Sequence, residues 1–152
     1  MRRATGINHI GVAVSSIAEQ MAFYRDVLGL EYEGEETVAE QKLRVAFFRC
    51  GAVRVELLEP TSPDSPIGRF IEKRGQGLHH IAYSVENLEA RIAEVKNEGI
   101  QMIDERPRPG AHGMAIAFIH PKSSRGVLTE LCEPRRGEPA SGGCTTIPET
   151  GG

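Results

Sequence analysis

Two histidines and two glutamates in this sequence could together hold a divalent metal ion. His9 and His80 each precede an isoleucine in a short apolar run, and Glu56 and Glu130 each open a Glu-Leu-x-Glu-Pro sequence. Imidazole and carboxylate groups are good ligands for cobalt, zinc, nickel, manganese and iron ions. Two glutamates also balance the charge of a divalent ion, whereas buried carboxylates without such compensation are costly. Four ligands in an octahedral arrangement leave two adjacent positions for a bidentate oxygen ligand.

The four residues belong to a pattern that occurs twice in the chain. The segments 8–14 and 79–85 align without a gap, and His80 follows His9 by 71 residues (80 − 9 = 71). Three apolar residues at helical spacing recur at the same offset: Ile17, Met21 and Tyr24 correspond to Leu88, Ile92 and Val95. A lone buried histidine is more often a hydrogen-bonded core residue than a ligand. A histidine and a glutamate at matching strand positions in both copies would rarely occur by chance. The duplication therefore favours metal ligation.

Each copy of the pattern predicts a β-α-β-β-β module, so the expected fold class is α+β. The first copy predicts a strand at 7–14, a helix from Ile17 to Leu28 that ends at Gly29, and strands at about 30–38, 42–50 and 52–59. The second predicts a strand from Gly77, a helix between Asn87 and Gly99, and strands at about 100–105, 114–120 and 126–132. Pro60 and Pro134 close the modules, because proline cannot continue a central strand.

The phase of the strands predicts which side chains face the site. Ile10, Val12 and Val14 share the face of the first strand that the helix must cover, so His9 lies on the opposite face. The repeat places His80 in the same way. Glu56 and Glu130 alternate out of phase with their apolar neighbours and are expected on the face of the histidines. We therefore expect two curved sheets side by side, with helices on their convex sides and the four ligands in the trough between them.

Length and composition predict one domain over residues 1–134, followed by a disordered tail at 135–152. Within it, module one covers about 6–60, a connector with a short helix covers 61–76, and module two covers 77–134. The net charge of −3 gives no reason to expect nucleic acid, and no apolar stretch is long enough for a membrane span. The lack of an export signal and an odd count of 3 cysteines indicate a reducing, cytoplasmic location.

Over about residues 6–134 the sequence resembles the vicinal oxygen chelate, or glyoxalase, superfamily and, within it, the methylmalonyl-CoA epimerases. The motifs that carry the resemblance lie at 8–14, 23–29, 55–60, 77–82 and 120–131. The resemblance implies that His9, His80 and Glu130 are metal ligands, with Glu56 at the position of the remaining ligand. It also implies a homodimer and a divalent metal ion, with cobalt first and zinc, manganese or nickel as alternatives. Where some epimerases have a second glutamate as proton-transfer base, this chain has Val45.

The implied reaction is the interconversion of (R)- and (S)-methylmalonyl-CoA in propionate metabolism, by 1,1-proton transfer through a metal-stabilised enolate. Glu130 is the best candidate for one base, and Glu56 or a bound water for the second. Lys122 and Ser123, followed by His112 and Gly113, are the candidate substrate contacts, although solvated loops are the commoner explanation for such residues. Two further histidines are expected to be structural: His79 on the helix-covered face, and His120 as a cap or packing residue.

Three other functions are compatible with the same scaffold. A lactoylglutathione lyase uses similar ligands and similar enolate chemistry. An extradiol dioxygenase needs Fe(II) with two histidines and one glutamate. A metal-free, drug-sequestering member of the superfamily binds its ligand in the trough, but such binders normally lack the histidine and glutamate set found here.

Overall fold

The computed structural model describes residues 3–136 and residue 148. The described residues fall into two compact units, one spanning His9–His79 and the other combining the residues before His9 with those from His80 onward. Most of the tail predicted to be disordered at 135–152 lies outside the described residues, as does Cys144. The assignment of a single domain to 1–134 stays a prediction. Among the described helices, none combines the length and the apolar character needed to cross a bilayer.

The first unit contains most of the first strand, two helices and three further strands. Its elements are β1 (Gly6–Ala13), α1 (Ile17–Met21), which continues as a π-helix (Ala22–Val27), β2 (Glu31–Val38), a 3₁₀ turn (Ala39–Gln41), β3 (Leu43–Cys50), β4 (Val53–Pro60) and α2 (Pro66–Arg74). The strands follow the order β2-β3-β4-β1. Strand β1 runs parallel to β4, and the other pairs are antiparallel. The four strands predicted for the first module are therefore confirmed.

The second unit repeats this arrangement with a smaller edge strand. Its elements are most of β5 (Gly77–Ser84), α3 (Leu88–Asn97), β6 (Arg108–Pro109), a 3₁₀ turn (Ala111–Gly113), β7 (Met114–Ile119) and β8 (Leu128–Pro134). The order is β5-β8-β7-β6, with β5 parallel to β8. Asn87 caps α3, as predicted, by accepting a hydrogen bond from the N–H of Ala90 (3.2 Å).

The strand predicted at 100–105 is wrong. This segment makes only a single bridge, Met102 to Ile119, and the edge strand forms later, as β6. The backbone N–H of Phe118 donates to the side chain of Asp104 (2.8 Å), so a carboxylate occupies the place that a strand carbonyl would have. Pro107 and Pro109 also lack the N–H groups that a longer ladder requires.

The single helix predicted from Ile17 to Leu28 is correct only in its first part. After Met21 the chain widens into a π-helix, in which the N–H of Leu28 donates to the carbonyl of Phe23 (2.9 Å). One additional residue per turn rotates the side chains that follow. Leu28 is therefore 51% exposed, although Met21 and Tyr24 pack on the core as predicted.

Two of the apolar clusters, one beneath each helix, confirm the predicted phase of the strands. In the first unit, Val14, Ile17, Ala46, Phe48 and Leu57 form a buried cluster against which Val12, Met21 and Tyr24 pack. In the second, Val85, Leu88, Ile92, Val95, Ala117 and Leu131 belong to the corresponding cluster. Each helix thus covers one face of its sheet. The four predicted metal ligands, His9, Glu56, His80 and Glu130, lie on the opposite faces.

The connector forms the predicted short helix, α2. Ser65 accepts a hydrogen bond from the N–H of Gly68 (3.0 Å) and Pro66 occupies the first turn, a combination that favours helix initiation. Gly75 ends the helix with a positive φ of 78°, and its N–H donates to the carbonyl of Ile71 (2.7 Å). Ile67 is buried, so α2 is anchored by its apolar side.

Candidate metal centre

In the first unit, strand pairing brings His9 beside Glu56. Gly11 of β1 lies opposite Glu56 of β4, and His9, two residues earlier in β1, shares the same sheet face. The His9 Nε2 atom lies 2.9 Å from Glu56 Oε2, and both residues are buried. A buried imidazole–carboxylate pair of this kind is a ready donor set for a divalent ion.

The second unit contains the corresponding pair, His80 and Glu130. Ala82 of β5 lies opposite Glu130 of β8, and His80 precedes Ala82 by two residues, as His9 precedes Gly11. The His80 Nε2 atom lies 3.4 Å from Glu130 Oε2, and both residues are buried. The predicted duplication therefore extends to the side-chain pairs.

Three of the four residues offer ligand atoms in one place. One ligand atom each of His9, His80 and Glu130 lies within 4.8 Å of the other two. Glu56 lies beside this group through its contact with His9. His9 and His80 each direct Nε2 at a carboxylate oxygen, so one nitrogen and one oxygen donor converge in each pair, as a divalent ion requires. Two imidazoles and two carboxylates also suit the charge of such an ion, so the residues fit the metal that the sequence predicted.

Comparison with known proteins gives the family. The sequence profile described as "Glyoxalase/Bleomycin resistance protein/Dioxygenase superfamily" matches residues 8–118. The chain belongs to this superfamily. The predicted α+β fold of two β-α-β-β-β modules, the glyoxalase or vicinal oxygen chelate fold, is therefore confirmed.

Several relatives within the glyoxalase superfamily are similar over most of their length. An uncharacterized protein, YqjC of Bacillus subtilis (strain 168), is 50% identical over 129 residues, covering 85% of this chain and 92% of that protein. The mitochondrial methylmalonyl-CoA epimerase of Mus musculus is 37% identical over 126 residues, covering 82% and 71%. A solved methylmalonyl-CoA epimerase in complex with methylmalonyl-CoA and NH4+ is 37% identical, with a TM-score of 0.81, covering 90% of this chain and 99% of that one.

His79 is a structural residue in this superfamily member, as predicted. Its ring packs edge-on against Phe70 of α2, with the centroids 4.9 Å apart. Burial lowers the pKa of His79 from its ordinary value of 6.5 to about 4, with a smaller contribution from the positive charge of Arg74. His79 is therefore neutral at physiological pH and lies among apolar and aromatic groups.

The four predicted substrate contacts lie in two loops of the second unit. His112 has a left-handed conformation (φ 55°), and Gly113 follows it with φ 67°. Lys122 is exposed, whereas the hydroxyl of Ser123 accepts a hydrogen bond from the N–H of Gln101 (2.9 Å). That hydrogen bond gives Ser123 a structural task as well. Contact of these residues with a substrate stays a prediction.

His120 organises the second of these loops. Its Nδ1 atom accepts a hydrogen bond from the N–H of Lys122 (3.1 Å), and its carbonyl accepts one from the N–H of Ser123 (2.9 Å). His120 therefore has the capping role that the sequence predicted.

Sequence reasoning missed one group of residues on the metal-facing side of the second sheet. Arg108 pairs with Asp104, with Nε 2.8 Å from Oδ1, and lies over the ring of Phe118. The spacing of four residues between Asp104 and Arg108 was the available signal, but no helix was predicted there.

Proposed function

We propose that this protein is a metal-dependent epimerase that interconverts (R)- and (S)-methylmalonyl-CoA. The observation that carries the proposal is the buried group of His9, His80 and Glu130, in a chain whose relatives include named methylmalonyl-CoA epimerases. A non-catalytic binder has no need of several buried ligand atoms within a few ångströms of one another. The same relatives favour this reaction over that of a lactoylglutathione lyase.

In this proposal His9, Glu56, His80 and Glu130 hold the ion, and cobalt is the first candidate. A divalent ion in this place supplies Lewis acidity, which makes the proton next to the thioester carbonyl easier to remove. His9 and His80 are both buried, which lowers the dielectric around the ion that they would hold. The rigid strands β1 and β5 hold both imidazoles in fixed orientations, which lowers the cost of ordering the site.

Glu130 is the proposed base for one face of the substrate. Its carboxylate accepts the proton from C2, which leaves a planar carbon, and a second group returns a proton to the opposite face. The reaction is an isomerisation and consumes no co-reactant. Val45 is fully buried and apolar, so it does not supply the second group. Glu56 is the other buried carboxylate on a metal-facing strand and is the proposed partner.

A hydrogen–deuterium exchange assay in D₂O tests the function directly. Purified protein with added Co²⁺ should exchange the C2 proton of methylmalonyl-CoA and interconvert its two forms, and a chelator should abolish both. Restored Co²⁺ should recover the activity, which serves as the control for damage by the chelator. Exchange that persists without metal, or conversion of the methylglyoxal–glutathione hemithioacetal in place of methylmalonyl-CoA, would refute the proposal.

Lys122 is the proposed contact for a phosphate of the coenzyme, because it is an exposed cation on a loop that leads into β8. Ser123, His112 and Gly113 are proposed as neighbouring contacts. We expect Lys122→Ala to raise KM about tenfold and to leave kcat within twofold, since the contact is made equally in the ground state and the transition state. Lys73→Ala, which removes an exposed cation from α2 in the other unit, is the matched control. A fall in kcat with unchanged KM would contradict this role.

A further inference from the structure

The edge strand β6 places Arg108 on the same sheet face as Glu130. Arg108 lies opposite Ile116 in the register of β6 and β7, and Phe118 follows Ile116 by two residues. Phe118 lies opposite Glu130 in the register of β7 and β8. Cross-strand partners point to the same side, and so do alternate residues of one strand. Arg108, Phe118 and Glu130 therefore occupy successive strands on one face.

Arg108 and Asp104 hold the ring of Phe118 from one side. The Nε atom of Arg108 donates to Asp104 Oδ1 (2.8 Å), while Asp104 Oδ2 accepts the backbone N–H of Phe118 (2.8 Å). The guanidinium carbon of Arg108 lies 5.4 Å from the centroid of the Phe118 ring, within the range of a cation–π contact. One carboxylate thus fixes both the main chain of Phe118 and the cation above its ring.

His80 lies against the same ring. The ring centroids of His80 and Phe118 are 5.7 Å apart, with an interplanar angle of 77°, which is an edge-to-face contact. Both residues are fully buried, and His80 directs Nε2 at Glu130. A rotation of the Phe118 ring would therefore leave the His80 imidazole without one of its packing partners.

The ion pair between Arg108 and Asp104 is partly buried, so its formation has a desolvation cost. Only 22% of the Arg108 side chain and 15% of the Asp104 side chain are exposed. A partly buried pair of this kind adds little net stability, and such pairs are better attested as devices that fix a conformation. The contacts indicate which conformation is fixed, namely the ring that packs against a metal ligand.

We propose that Asp104 and Arg108 are positioning residues for the ligand His80, and that they act through the ring of Phe118. The proposal rests on the metal centre in the proposed function but not on the identity of the substrate. Groups that orient a ligating imidazole typically change metal affinity 10- to 100-fold when removed. Because this action passes through a phenyl ring, we expect the lower end of that range.

Cobalt binding measures this role without any assay of activity. Co²⁺ is titrated into metal-free protein by calorimetry, and its visible absorption, which depends on ligand geometry, is recorded. We expect Arg108→Met and Asp104→Asn each to weaken Co²⁺ binding about tenfold and to alter the absorption. Arg91→Met is the matched control, because Arg91 forms a similarly buried pair with Glu94 on α3 (16% and 25% exposed) away from the metal-facing side. Its Co²⁺ affinity should stay within twofold of wild type.

A double-mutant cycle shows whether the effect passes through the ring. In a Phe118→Leu background, Arg108→Met should change Co²⁺ affinity by less than twofold, because the connecting ring is already absent. The proposal is overturned if Arg108→Met has the same effect in both backgrounds, or if Arg91→Met weakens binding equally. If Arg108→Met does not fold, Asp104→Asn decides in the same cycle. Wild-type protein that binds Co²⁺ but does not exchange the C2 proton refutes the epimerase and leaves this inference intact.

Discussion

Glu130 is fully buried, so a substitution there must keep its volume. Glutamine keeps the volume but removes the negative charge. We expect Glu130→Gln to lower kcat about 10³-fold or more, because an amide does not accept the proton from C2. Substrate affinity should fall less than tenfold. Glu133→Gln is the control. Glu133 lies on the same strand, β8, but three positions from Glu130 and therefore out of phase with it. Losses of equal size in kcat and affinity would argue against a proton-transfer role.

His79 makes the stability of the protein depend on pH. Its folded-state pKa of about 4 lies below its ordinary value of 6.5, so the unfolded chain binds a proton more readily between these values. The contribution of His79 to stability is therefore full above pH 6.5 and is lost as the pH drops toward 4, by roughly 1.4 kcal/mol per pH unit and about 3 kcal/mol in total.

Urea unfolding from pH 7 to pH 4, with chelator present, measures this contribution. The variant His79→Asn has no titrating ring, and asparagine is the residue at the corresponding position of the first module, Asn8. We expect the free energy of unfolding of wild type to fall more steeply below pH 6.5 than that of the variant. Parallel curves would show that His79 is not the group responsible.

At the scale of single residues, the sequence predicted the two buried histidine–glutamate pairs, because the same pattern occurs once in each module and in the same strand phase. It did not predict that Asp104 and Arg108 act together. Their contact depends on a loop that folds back on β7, and neither hydrophobic periodicity nor the repeat gives the path of such a loop. Long-range side-chain contacts without a counterpart in the other module lie beyond this kind of inference.

Helix α2 depends on the glycine at position 68. A Cβ added there would lie 2.6 Å from the carbonyl oxygen of Pro63 and 2.8 Å from that of Ser62. Alanine in a helix interior normally stabilises by up to about 1 kcal/mol relative to glycine. Here the backbone clash should reverse the sign, so we expect Gly68→Ala to lower the free energy of unfolding by about 1–3 kcal/mol.

The control for this substitution is Gly6→Ala, since a Cβ at Gly6 meets nothing within 4 Å. Urea unfolding should show a change within about 0.5 kcal/mol for that variant. A Gly68→Ala protein more stable than wild type would contradict this expectation, because it would mean that Ser62 and Pro63 move away from the new Cβ without a cost in free energy.

At the scale of elements, alternation and turn residues predicted β1 to β5, β7 and β8 closely. The segment at 100–105 was assigned wrongly because it contains strand-like apolar residues, whereas a side-chain carboxylate and two prolines decide its structure. The short α2 was predictable from its apolar residues and the serine and proline before it.

At the scale of the whole molecule, bound metal should act as a stabilising ligand. At a Co²⁺ concentration 100 times the dissociation constant, we expect the free energy of unfolding to rise by about 2.7 kcal/mol. The variant His9→Asn, which removes one proposed ligand, should lose most of this increase. Thermal unfolding with a Co²⁺ titration measures it, and a midpoint that does not respond to Co²⁺ in wild type would contradict the metal centre. The homodimer and the cytoplasmic location stay predictions at this scale.

The π-helix after α1 has a consequence for how the two modules correspond. Tyr24 and Val95 are 71 positions apart (95 − 24 = 71), but the two glycines at the helix ends, Gly29 and Gly99, are 70 apart (99 − 29 = 70). The widened turn at Ala22–Val27 is where the first copy accommodates its one surplus amino acid. Excising one residue there should convert the segment to ordinary α-helix and give the first and second helices the same spacing to their terminal glycines, Gly29 and Gly99.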